Sequence, residues 1–183
     1  MRRAFLAVLV LVSASVLLAQ MKHGEHPPVP GTPASAEAGH HACLEQERQA
    51  IERGEGFGMA MAADRSGYPG PRHVLDMRKE LKLTPEQVKK MEQLFNDMHK
   101  RALERGHELL LAEDRLEKMF AEGRSVDELR EETYRVASIR AELRWVHLGT
   151  HLAARKVLTS EQLATYMRIR HGQPVAAQAT PKS

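Results

Sequence analysis

The chain has 183 residues, 27 of them Lys or Arg, 24 Asp or Glu and one Cys, which leaves room for one domain with flanking segments and excludes an intramolecular disulfide staple. Acids and bases are interspersed, so the formal net charge of +3 marks no nucleic-acid surface. Enzyme classes are argued against by the lack of a Gly-rich phosphate loop, a recognisable Cys/His nucleophile pair and a His-Glu-x-x-His run.

Met1-Arg2-Arg3 precedes an apolar run over residues 4–18 and then Ala19. That layout predicts a signal peptide over residues 1–19, cleaved on export, and the run is short of the ~20 residues that span a bilayer. An uncleaved anchor is the alternative; the mature chain has no further span. Loss of Arg2 and Arg3 leaves 25 basic and 24 acidic residues, close to neutrality. Residues 20–42 are rich in Pro, Gly, Ala, Ser and His without apolar period, and read as a disordered tether. Residues 43–71 comprise a short polar helix over 43–53, stopped by Gly54, and a segment mixing glycines with Phe57, Met59 and Met61. Pro71 suits the first turn of a helix expected over 72–82.

The next boundary is the best specified. In Leu83-Thr84-Pro85-Glu86-Gln87-Val88, Thr84 can N-cap a helix, Pro85 needs no N–H at N1, and Gln87 can close a capping box. Leu83 and Val88 are placed for a hydrophobic staple. The arrangement returns at Leu158-Thr159-Ser160-Glu161-Gln162-Leu163, and Ser125-Val126-Asp127-Glu128 is a plainer box. Between these starts two long helices are expected, over 85–122 and 126–157. The first carries a heptad seam of Val88, Phe95, Ala102, Leu109 and Leu116 beside Met91, Met98, Ala112 and Met119, broken only by Arg105. The second carries Leu129, Val136, Leu143, Thr150 and Val157, flanked by Ile139, Val146 and Ala153. Gly123 caps the first, and so short a connection forces the two antiparallel. The predicted fold is all-α: a long antiparallel hairpin with short flanking helices over 72–172, followed by a disordered tail, 173–183. Leu94, Leu103, Leu110 and Phe120 lie off the seam and need a further partner; the flanking helices over 72–82 and 160–170 can cover some of them and a second copy of the chain the rest, which predicts a homodimer, with these four as its dimer or client surface.

Two Leu-Thr-x-x-Gln boxes (Leu83, Thr84, Gln87 and Leu158, Thr159, Gln162) on a leader-bearing helical chain resemble the Spy/CpxP superfamily of periplasmic stress proteins, which includes zinc-resistance-associated and heavy-metal-sensor-like members. The segment from Gly67 to Leu75 resembles what precedes the first box in the sensor-like members. The resemblance implies a periplasmic, cradle-shaped antiparallel dimer that either holds unfolding clients without ATP or binds transition metals and reports on them. A membrane sensor is then a possible partner. The boxes themselves start helices and do no chemistry.

His147 and His151, spaced i, i+4, project from one helix face. Counting back from the hairpin turn sets residue 147 opposite roughly residue 100, so His99 can converge on them, with Asp97 and Glu104 as nearby oxygens. Three imidazoles suit Zn, Cu, Ni or Co rather than Ca or Mg, and such an ion is the only cofactor the residues suggest. Solvated surface histidines are the competing reading. His23, His26, His40, His41 and Cys43 form a looser set, better read as linker; Cys43 could also cross-link two copies or be buried. Met59, Met61, Met91, Met98 and Met119 read as adaptable core filler. Trp145, on the polar side of the seam, could contact a partner or an end helix. The leading expectation is an ATP-independent, chaperone-like protein acting on partly unfolded clients. The alternative is a heavy-metal sensor or buffer.

Overall fold

The computed structural model describes the backbone of residues 34–172 and the side chains of residues 41–172. The leader, most of the tether with His23 and His26, and the tail lie outside the described residues. Six helices follow one another: α1 (Ala34–Glu52), α2 (Met61–Arg65), α3 (Pro71–Asp76), α4 (Pro85–Ala121), α5 (Val126–Arg155) and α6 (Ser160–His171). No strand occurs among the described residues, and no helix there is long and apolar enough to cross a membrane.

The capping chemistry legible in the sequence is what sets the boundaries. Thr84, Ser125 and Thr159 each accept a bond from the backbone N–H three residues on, and Gln87, Glu128 and Gln162 each close the box. At the end of α4, Gly123 turns left-handed at φ 67°. Its N–H bonds the Phe120 carbonyl and the Arg124 N–H bonds that of Met119, the pattern that satisfies the last free carbonyls of a helix. The chain therefore reverses within four residues, and α4 and α5 pack antiparallel. At 1.5 Å per residue they are about 55 and 45 Å long. Arg105–Glu142 and Arg115–Glu132 bridge them at a constant register. The break that Arg105 makes in the seam is thus an outward ion pair, with Glu108 as second partner.

Two apolar clusters hold the hairpin. One joins Ile51 of α1 to Ala102, Leu109, Leu110 and Ala112 of α4 and to Val136, Leu143 and Val146 of α5. The other, at the open end, joins Val74 of α3, Leu81, Met91 of α4, Ala154 of α5, Leu158, and Tyr166 and Met167 of α6. Burying a side chain such as Leu109 or Leu143 contributes about 1.5–3 kcal/mol.

The structure departs from the sequence reading in three places. The tether was expected to run to residue 42, yet α1 begins at Ala34; the local Ala, Ser and Glu content tolerates helix, and the docking of Ala50 and Ile51, both buried, anchors its far end. The helix expected over 72–82 stops at Asp76. Residues 77–82 continue as turns that end with Lys82 at φ 48°, which reverses the chain into the Thr84 cap while Leu81 stays buried. Third, Leu110 is only 9 % exposed and Leu94 packs against the open-end cluster. Leu110 is therefore not the client or dimer surface it was expected to be, whereas Leu94 is only half-covered and still lines a surface cleft; Leu103 and Phe120 remain exposed.

Candidate functional site

Between the two apolar clusters lies a polar layer. On α5, Val146 belongs to one cluster and Ala154 to the other, and His147, Thr150 and His151 fall between them in sequence. A cavity of about 180 Å³ opens there, lined by His99, His147 and His151 together with His73, Phe95, Met98, Arg53 and Arg72. The three histidines expected to converge do share one cavity, and α3 adds a fourth. Asp97 and Glu104 do not join them; they line clefts on the opposite side of the hairpin. Cys43 is exposed on α1 and takes no part.

Each imidazole is held differently. His151 Nδ1 lies 2.7 Å from the Tyr68 carbonyl, so Nδ1 carries the proton and donates, leaving the Nε2 lone pair for a ligand. His73 Nε2 accepts from Arg170 at 2.9 Å, which spends its lone pair; burial, and next the charge of Arg170, hold its pKa below the ordinary histidine value. His99 stacks on Phe95 with ring centroids 5.8 Å apart. His147 is 4 % exposed, and its Nε2 is buried without a hydrogen-bond partner. Desolvation, reinforced by His151, lowers its pKa to about 4, so it stays neutral, the form that coordinates a metal.

The roof over this layer is glycine. A Cβ on Gly54 would lie 3.0 Å from His99 Nδ1, one on Gly56 3.1 Å from His147 Nδ1, and one on Gly70 2.8 Å from His151 Nε2. A second cavity of about 290 Å³ reaches His73, His147 and His151 from the other side, past Asp64 and Arg170. Asp64 anchors that side: Tyr166 and Arg170 both donate to its carboxylate, and His171 lies 3.4 Å away. Burial pushes the Asp64 pKa up, but those bonds and charges outweigh it and hold the carboxylate below its usual range. As the side chains stand, no three His, Cys, Asp or Glu among the described residues form a group that could hold an ion.

The opposite face of the hairpin is left open. Glu47, the Met59 carbonyl, Gly56 and Gly70 meet Arg140, Arg144, His147 and His151 in turn, one stripe of α5. The other stripe carries Trp145, 58 % exposed, between two clefts lined wholly by α4 and α5. Of the methionines, Met91 and Met119 are core, Met59 and Met98 pack against it, and Met61 is exposed.

The two boxes meet. Gln87 and Gln162 donate to each other's carboxamide oxygen, both at 2.9 Å, while Gln87 also donates to the Val157 carbonyl and Gln162 to that of Leu81. The sequence shows each box starting a helix; that the two glutamines join the helix starts requires knowing that the hairpin's open end brings residues 87 and 162 together. The roofing glycines and the Asp64 anchor were likewise not singled out, although Tyr166 and Arg170, at i, i+4 on α6, were a signal for a shared partner. No family model, no curated protein and no solved structure matches the chain.

Proposed function

We propose that this chain is an exported stress protein of the Spy/CpxP type that takes up a transition-metal ion in its histidine pocket, as a periplasmic sensor or buffer. The observation that carries the reading is His147: a neutral imidazole, buried between apolar clusters, with an unpartnered nitrogen and three further imidazoles on the same cavity. An unsatisfied polar atom of that kind costs about 1–3 kcal/mol, and a bound ion offsets that cost. His99, His147 and His151 would hold the ion, and their nitrogen donors fit Zn, Ni, Co or Cu. Tyr68 orients His151 through its carbonyl, as outer-shell partners do. Calorimetric titration with ZnCl2 or NiCl2 should show one site per chain, lost when His147 and His151 are both replaced by alanine. Unchanged affinity and stoichiometry in that double variant would remove the proposal.

A second reading has its own observation, the open face around Trp145. Arg101 and Arg105 line the clefts beside the indole with Asp97, Glu104 and Glu142 and with the apolar Leu94 and Ala141, a mixture of charges of both signs and apolar surface suited to weak, repeated contact with partly unfolded chains. This is the chaperone-like activity. It predicts that stoichiometric protein suppresses client aggregation in a light-scattering assay and that Trp145→Ala weakens the suppression while leaving metal titration unchanged. Equal suppression by wild type and variant would dissociate the activity from this face.

A further inference from the structure

The glycine roof has a distinctive construction at its N-terminal end. Gly54-Glu55-Gly56-Phe57-Gly58 leaves α1, crosses His99 and His147, and returns to α5 where Arg144 donates to the Met59 carbonyl at 3.2 Å. Three of its five residues have positive φ: Gly54 at 65°, Phe57 at 33° and Gly58 at 78°. Phe57 is the informative one, because a residue with a side chain is strained in that region of φ. The strain goes unrewarded by burial, since Phe57 is exposed. The backbone under it lies so close to the rings that a methyl group on Gly54 or Gly56 would crowd His99 or His147.

We infer that residues 54–58 are a strained strap closed over the histidine pocket, and that loading the pocket with a divalent transition-metal ion releases it. The inference rests on the metal reading above and adds its regulation. As the rings stand, their donors do not converge on one point. The glycine backbone passes close over the Nδ1 sides of His99 and His147, with no room there for even a methyl group, so for those rings to turn toward His151 the strap must withdraw. Withdrawal also frees Phe57 from its unfavourable φ, so ion binding and strap release favour each other. The strap carries Phe57 at the surface, so its release would change the surface a partner meets.

Hydrogen–deuterium exchange on the full chain, read on peptides covering residues 54–60, tests this with NiCl2 as the probe and calorimetry on the same sample. Saturation with the ion should speed exchange there about tenfold or more, while peptides in the middle of α4 keep their protection. Slowed or unchanged exchange, with ion binding seen by calorimetry, would overturn the strap and leave the metal reading standing. No binding at all would overturn both. Gly56→Ala gives a metal-free readout. The added methyl, 3.1 Å from His147 Nδ1, should prop the strap open and raise the rate of His147 carbethoxylation by diethylpyrocarbonate several-fold with helicity unchanged. A rate equal to wild type would show that Gly56 does not guard the ring, and would overturn the inference.

Discussion

At the residue scale, a part-buried amide pair and a buried imidazole make the sharpest predictions. Gln87 and Gln162 use every hydrogen-bonding site of their carboxamides: each oxygen also accepts its own cap residue's N–H, from Thr84 and Thr159. A carboxylate in either place cannot donate, so Gln87→Glu should strand the Val157 carbonyl and set two oxygens against each other. The expected cost is roughly 1–3 kcal/mol in urea unfolding, and the Gln87→Ala, Gln162→Ala double variant should cost less than the sum of its singles because both lose the same bonds. His147 makes a prediction in pH. Its folded pKa of about 4 lies below the ordinary 6.5, so between those values the unfolded chain binds more protons than the folded one. Metal-free protein should therefore keep this contribution above pH 6.5 and lose roughly 3 kcal/mol as the pH falls toward 4. His147→Gln should flatten that part of the stability profile; an unaltered slope would mean another group governs it.

At the scale of elements, the helix starts were legible and the docking of α1 was not. Three capping boxes, a proline at N1 and a glycine after the hairpin's first helix are local signals, each read within four residues of sequence, and every one holds in the structure. The packing of α1 depends instead on Gly106, where a Cβ would come within 2.8 Å of Ile51 Cγ2 and 2.9 Å of the Ile51 carbonyl oxygen. Two side-chain clamps assist, Arg48 on Asp114 and Arg140 on both Glu47 and Glu113. Although alanine is a better helix former than glycine by about 1 kcal/mol, Gly106→Ala should displace α1. Limited proteolysis should then cut residues 41–52 faster while α4 and α5 remain resistant. Cleavage at the wild-type rate would show that α1 docks by its ion pairs alone.

At the scale of the whole molecule, the hairpin has a covered face and an open one. The covered face is closed by α1 to α3 and contains the histidine pocket. The open face and the hairpin turn display Trp145 and Phe120, 58 % and 62 % exposed, with Leu111, Tyr134 and Val126 also out in solvent. We propose that a second copy of the chain covers part of this surface, although Leu110, one of the four off-seam positions, is buried within the monomer. Sedimentation at micromolar concentration should give a dimer that Trp145→Arg weakens. A wild-type monomer under those conditions would refute the assignment and leave the open face to clients.

The sequence by itself determined the two long helices, their caps, their antiparallel turn and the placing of His99, His147 and His151 on one cavity, because each follows from periodicity and from counting residues back from one tight loop. Tertiary structure alone decided that glycines roof those histidines, that His73 and the Asp64 cluster border them, that the two boxes join through their glutamines, and that Leu110 is core while Leu94 packs against the open-end cluster. Those outcomes depend on contacts between residues as many as 106 positions apart, where no local pattern carries information and only the packing of α1, α3 and α6 onto the hairpin brings the groups together.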